Sequence, residues 1–311
     1  MKILRCLISR PALSRGLVLS TRSSSANRRP QTNMAAASTS LVDKVFLVTG
    51  SSDGIGRHTA SRLAAEGATV FVHGRREAKV SAAIDFIKAQ GSPDAKVEGI
   101  LADVSSLRGM NQLCDEVLAR ADRLDCLVNN AGVWENSLRH SDDGLENMFA
   151  VNVLAPYVIT GRLLGLIAKA PDGGRVVTVA SQMVSNSVDF DNLQFQNGGY
   201  SDRHAYAQTK LMDIMFNVEL AKRAPVGVTC ASLHPGVIDT KMLREGVGML
   251  GGTPVTSAND QFYVASSDDL KGSTGNFYVN RRVTKPPRPA RNDETCSQLW
   301  GVLEKLSGLS Y

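Results

Sequence analysis

Several things are scarce in this 311-residue chain, and each scarcity removes a class of explanation. Five cysteines (Cys6, Cys114, Cys126, Cys230, Cys296) stand far apart with no CxxC pair, which argues against a disulfide framework or a zinc site. The histidines (His58, His73, His140, His204, His234) also lack ligand spacing, and the carboxylates of "SVDFDN" read as a solvated loop. No metal is expected, and the histidines are read as structural or surface residues. The apolar runs of the N-terminal leader are too short and too often broken by Arg for a membrane span, and no transmembrane span is expected. Acids are missing altogether from residues 1 to 42, which hold Lys2, Arg5, Arg10, Arg15, Arg22, Arg28 and Arg29. The remainder has 28 basic and 30 acidic residues, so the +5 charge belongs to this leader. A nucleic-acid-binding face is therefore not expected. Arg-rich, Ser-rich and acid-free, the leader is patterned like an organelle transit peptide, with mitochondrion as first choice and plastid second. A start at Met34 would give a shorter form, expected to be cytosolic.

What is present, from Lys44 onward, is alternation. Seven β-rich runs, "KVFLVTG", "ATVFVHG", "VEGILADV", "DCLVNNAG", "GRVVTVAS", "GVTCASLHPG" and "GNFYVN", are nearly continuous in apolar residues. Strands buried on both faces of a parallel sheet have that character. Helical patterns cover about 55 to 66, 76 to 90, 106 to 121, 143 to 169 and 203 to 223, with a last one in "CSQLWGVLEKLSG". The expected fold is α/β: one doubly wound domain over 43–311, a seven-stranded parallel sheet with helices on both faces. "VTKPPRPARNDE" reads as a surface loop. Two segments break the rhythm, 182 to 203 and 237 to 262. Both follow strand ends, where ligands bind in such sheets, and both are expected to wall a lipophilic substrate pocket. Phe190, Phe195 and Tyr200 would supply apolar surface in the first, Met242, Leu243, Met249 and Leu250 in the second.

The first strand hands over to its helix through "VTGSSDGIG", with glycines at Gly50, Gly54 and Gly56. A turn without side chains at a helix N-terminus lets a pyrophosphate approach the backbone. After the second strand an acid would bind the ribose of NAD, but Gly74 stands there, followed by Arg75 and Arg76. Guanidinium forks suit a 2′-phosphate, which favours NADP, with NAD as the alternative. In "YAQTK", Tyr206 and Lys210 are four apart and share a helix face. A nearby ammonium lowers a phenol's pKa toward working pH, making the tyrosine a usable acid or base.

In sequence order, the Gly-rich turn, "NNAG", Asn152, Ser181, "YAQTK" and "HPG" resemble the short-chain dehydrogenase/reductase family over essentially all of 42–311, and its retinol-dehydrogenase-like branch in particular. The resemblance implies a Rossmann fold and a hydride transfer between a nicotinamide and a carbonyl or alcohol substrate. It implies a catalytic set of Asn152, Ser181, Tyr206 and Lys210. Tyr206 would exchange the proton and Ser181 hold the substrate oxygen. Lys210 would lower the Tyr206 pKa and bind the ribose, and Asn152 position a relay water. The implied cofactor residues are Gly50, Ser52, Asp53, Gly54, Ile55 and Gly56 in the turn, and Arg75 and Arg76 after the second strand. Asp103 and Val104 would border the adenine. Asn130, Ala131, Gly132, Tyr206, Lys210, Pro235, Gly236 and Thr240 complete the set. Departures from the branch are a shorter, glycine-rich segment after "HPG" and no apolar N-terminal anchor. The alternative is a non-catalytic NADP-binding subunit that senses redox state or stabilises a complex; a homo-oligomer is left open.

Overall fold

The computed structural model describes residues 40–311. Most of the expected leader, with Cys6 and Met34, lies outside the described residues.

All seven apolar runs become strands: β1 (Val45–Val48), β2 (Thr69–Gly74), β3 (Lys96–Leu101), β4 (Cys126–Asn129), β5 (Arg175–Val179), β6 (Thr229–His234) and β7 (Asn276–Val279). Each is parallel to its neighbours. The expected seven-stranded sheet gains one edge strand, β8 (Arg282–Thr284), antiparallel to β7. Asn280 and Arg281 both adopt positive φ (50° and 61°), the two-residue hairpin that matches strand twist. Arg281 is held there by Asp260 at 3.1 Å and lies 5.5 Å from the Tyr263 ring centre. "VTKPPRPARNDE" is therefore only partly a loop, since it holds the end of β8 and a short 3₁₀ turn, Pro289–Arg291.

The helices are α1 (Gly54–Ala65), α2 (Glu77–Lys88), α3 (Leu107–Arg120), α4 (Asn147–Phe149), α5 (Ala155–Ile167), α6 (Asp202–Arg223), α7 (Asp260–Ser266) and α8 (Asp293–Ser307). The helix expected over 143 to 169 is divided. After the single turn α4, residues Ala150–Leu154 form a wider π turn before α5 begins. Segment 237 to 262 also contains a π turn, Met242–Val247, a 3₁₀ turn, Val255–Ser257, and the start of α7.

Strand alternation sends neighbouring side chains to opposite layers. Val176 joins the core beneath α3, α5, α6 and α8, whereas Val177 joins the core beneath α1, α2 and α7. The stretch Asn147–Ile167 is long and apolar enough to cross a membrane by length and composition, yet here it is a mostly buried core element. At the chain end, Trp300 and Tyr311 pack on Tyr157 with ring centres 5.0 and 4.8 Å apart. The folded body includes Leu41, which is only 4% exposed and lies in the core. The boundary expected at residue 43 therefore falls too late.

Sheet order is β3-β2-β1-β4-β5-β6-β7-β8. It reverses direction between β1 and β4, and at such a switch point loops part at the carboxyl ends of the strands.

Candidate active site

The turn after β1 is held from three directions. Thr49 Oγ1 accepts hydrogen bonds from the amides of Asn130 and Ala131, at 3.0 and 2.9 Å. Asn130 Nδ2 donates back to the carbonyl of Thr49 at 2.7 Å, and its Oδ1 accepts from Gln261 at 3.2 Å. The Gly50 amide donates to His73 Nδ1 at 3.0 Å, which leaves Nε2 to donate to the Ala102 carbonyl at 3.1 Å. Burial lowers the pKa of His73 to about 4, so the ring is neutral. Asn130 thus reaches the site as a brace for the turn.

Two glycines in this region are needed sterically. A Cβ on Gly50, whose φ is +64°, would lie 2.8 Å from Ala131 Cα, and one on Gly56 would strike the Asn130 side chain. At Gly54, by contrast, a Cβ would meet nothing nearer than Thr240 Cγ2 at 3.7 Å, so it would fill the groove itself. Gly74 has a further reason to be glycine. A Cβ there would lie 2.7 Å from Ser52 Oγ and 2.8 Å from Ser52 Cβ, so the turn occupies the space an acidic side chain would need.

One cleft of about 750 Å³ gathers nearly the whole expected cofactor set. Gly50, Ser52, Asp53, Gly54, Ile55, Gly56, Arg75, Arg76, Asp103, Val104, Asn130, Ala131, Gly132, Tyr206, Lys210, Pro235 and Thr240 all line it; Gly236 does not. Lys79, missed in the sequence, adds a third cation at the β2 end. It binds Asp53 at 2.7 Å and, with the Gly54 amide, holds that carboxyl below its usual range. Arg75 is exposed at the rim, 3.8 Å from Asp103.

Of the four expected catalytic residues, Tyr206 and Lys210 line the cleft at its other end, while Asn152 and Ser181 stand outside its lining. The π turn places Asn152, whose Oδ1 accepts from the Val133 amide at 2.8 Å. Asn152 Nδ2 donates to the Val133 carbonyl and to Thr209 Oγ1, both at 3.1 Å. Ser181 follows β5, its Oγ accepts from the Met183 amide at 3.0 Å, and its hydroxyl lies near enough to Tyr206 to pull the phenol's pKa down slightly. Tyr206 and Lys210 come from α6, with Nζ 5.8 Å from the centre of the tyrosine ring. The Lys210 ammonium donates to the Val179 carbonyl at 2.9 Å and to Asp213 at 2.7 Å. Trp134 covers the tyrosine, with ring centres 4.6 Å apart.

The expected depression of the Tyr206 pKa is not what the surroundings produce. Burial raises it above the ordinary phenol value, and the pull of Lys210 only partly offsets that. Burial also opposes the charge on Lys210, but Asp213 and Tyr206 outweigh it and the ammonium is stabilised. The aromatic wall expected from 182 to 203 is partly turned inward. Phe195 is 6% exposed and packs with Met148 and Ala205. In the second segment Met242 lines the cleft, while Met249 and Leu250 are exposed. His73 and Gln261 act through tertiary contacts that spacing does not reveal. Asp213 carried a readable signal, an acid one helical turn beyond Lys210.

A doubly wound sheet with a glycine turn at its switch point and a Ser, Tyr and Lys beside the same cleft defines a nicotinamide-dependent oxidoreductase. The chain belongs to the short-chain dehydrogenase family, whose model matches residues 44–248, and that family moves hydride between a nicotinamide and a substrate carbon, interconverting carbonyl and alcohol. Its sequence is 31% identical to human retinol dehydrogenase 14 over 293 residues, covering 86% of this chain and 87% of that one. It is also 31% identical to human polyprenol dehydrogenase over 285 residues, covering 86% of each. Among solved structures, an uncharacterised protein of Mycobacterium paratuberculosis superposes with a TM-score of 0.73 at 26% identity, covering 88% of this chain and 96% of that one.

Proposed function

We propose that the protein is an NADP-dependent reductase or dehydrogenase of a lipophilic carbonyl or alcohol, with Tyr206 as its acid–base. The observation that carries this reading is the meeting of Ser181, Tyr206 and Lys210 beside the cleft that holds the glycine turn. The groove beside Gly54 and the bare backbone at Gly50 and Gly56 fit a dinucleotide pyrophosphate. When bound, the dinucleotide supplies or accepts the hydride. Tyr206 gives its hydroxyl proton to the substrate oxygen during reduction and takes it back during oxidation. Ser181 donates a hydrogen bond to that oxygen, Lys210 lowers the cost of a Tyr206 phenolate and binds the ribose, and Asn152 braces the loop at Val133. Arg75, Arg76 and Lys79 at the β2 end favour the 2′-phosphate, and Ser52 keeps an acid from position 74. Met242 and Val255 in the cleft, with Trp134 packed on Tyr206, suit an apolar substrate, and relatives named for retinol and polyprenol, both lipophilic alcohols, support the same class.

The test is NADPH and NADH oxidation against aldehydes, ketones and quinones, with Tyr206→Phe as the control. Wild type should turn over with NADPH preferred. The variant should keep its melting temperature and lose about 10²–10⁴ in rate. Full turnover in the variant refutes the mechanism. A non-catalytic subunit would bind NADPH and oxidise none of it on any substrate.

A further inference from the structure

Behind the Tyr206–Lys210 pair lies a carboxylate that the reaction as described does not use. Asp213 is 1% exposed and Lys210 5%. Two of the three ammonium protons go to Val179 and Asp213, leaving one for the cleft that Lys210 lines. Asp213 Oδ2 takes the lysine, but Oδ1 is buried with no partner among the described residues. A half-satisfied buried carboxylate costs stability, and an apolar side chain would pack there more cheaply. Among the described residues its electrostatic partners are in the site itself: Lys210, which it charges, and Tyr206, whose ionisation it opposes.

Titratable groups on the elements around α6 face other partners. Cys230 on β6 bonds Thr274, Tyr157 on α5 senses Glu304 and Arg223, and Cys296 on α8 senses Lys222. His234 at the end of β6 senses Asp260, and Glu146 ahead of α4 bonds the amides of Met148 and Phe149. Towards the C-terminal end of α6, Glu219 is engaged with Lys222 and Arg223.

We propose that Asp213 is a positioning residue for the proton transfer: it anchors the Lys210 ammonium against Val179 and offsets its charge, so that Tyr206 keeps its proton to higher pH. A phenol is the form that gives a proton to a carbonyl, so the device favours fast reduction. The proposal rests on the reading of Tyr206 as acid–base. Burial pushes the Asp213 carboxyl up to about 6 against the pull of Lys210, which leaves it ionised at pH 7 and above, where the effect operates.

The experiment is a ¹³C NMR titration of protein labelled at tyrosine Cζ, with Tyr206→Phe identifying the Tyr206 signal. Asp213→Asn keeps the shape and removes the charge. Asp213→Ser is a second neutral variant should the first fail to fold, as judged by melting temperature. Either should lower the Tyr206 midpoint by about one pH unit or more, the scale of one nearby buried charge. The high-pH fall of carbonyl reduction by NADPH should move down by the same amount. A midpoint that stays put or rises in a folded variant overturns the proposal, because a purely structural Asp213 would alter stability without moving it. If the midpoint falls in a protein whose wild type reduces no carbonyl, Asp213 retains its role and the proposed function is what fails.

Discussion

Single residues decide the cofactor end of the cleft. Gly74 leaves the strand end without an acid, and Ser52 fills the space such an acid would need. Arg75 and Arg76 then face the cleft with no acid of NAD-binding type at position 74 to compete. Replacing both arginines with Ala should weaken NADPH by more than about tenfold relative to NADH, the scale of a charge-assisted bidentate contact. Equal losses in the two dissociation constants would sink the assignment. His73 makes a different prediction, for pH. Its native ring is fully buried, with Nδ1 accepting the Gly50 amide, so the folded state resists a proton that the unfolded chain takes up near pH 6.5. Its contribution is therefore whole above about pH 6.5 and shrinks as pH falls toward 4, by up to about 3 kcal/mol. His73→Asn, whose Oδ1 can accept the same amide, should flatten this stretch of the stability curve measured by urea unfolding. An unchanged slope between pH 6.5 and 4 would show that the histidine is not the source.

Elements differ in how openly they were written in the chain. Strands buried on both faces must be apolar throughout, so β1 to β7 were readable as runs, as were the helices on each layer apart from α7, whose start lay inside the irregular segment 237 to 262. The hairpin to β8 was not, because its turn is Asn280-Arg281 and not Asn-Gly. Arg281 is held at positive φ by Asp260 and the Tyr263 ring, contacts no local pattern contains. The π turn at Ala150–Leu154 was likewise hidden inside a continuous helical pattern, though Asn152 itself was legible by motif order. Most of the site could be named in advance, since glycines, arginines and the Tyr–Lys spacing are chemical signals. Its braces could not, since Gln261 comes from an element more than a hundred residues beyond Asn130. The turn Met242–Val247 has no buried residue, so it contributes little to global stability. It nevertheless touches the site through Gly246, where a Cβ would lie 2.7 Å from Trp134 Cγ, and Trp134 lies on Tyr206. Gly246→Val should therefore leave the melting temperature nearly unchanged and cut kcat/KM for carbonyl reduction by about ten- to a hundredfold, since small misplacements near the chemistry are costly. A large loss of stability with normal kcat/KM would place the turn in the fold instead of the site.

At the scale of the whole molecule, the question is where leader ends and body begins. The acid-free leader is proposed to direct import into mitochondria, and residues 43–311 are near neutral without it. Composition placed the boundary after residue 42, because the charge pattern changes there. Packing places it earlier. The Leu41 amide donates to the Glu66 carbonyl at the end of α1, and its side chain sits in the same core as Phe46, Leu63 and Val70. A protein lacking residues 1–39 should therefore melt with the full-length chain and bind NADPH equally well. One lacking residues 1–42 removes a buried leucine worth about 2 kcal/mol. In a domain of this size that lowers the melting temperature by about 5 °C. A start at Met34 keeps Leu41, so the shorter form should be as stable as the longer one and differ only in destination. A fluorescent reporter carrying residues 1–33 should reach mitochondria, and the Met34 form should stay in the cytosol. If removing 40–42 costs nothing in the melting scan, Leu41 belongs to the leader and the body begins at Asp43.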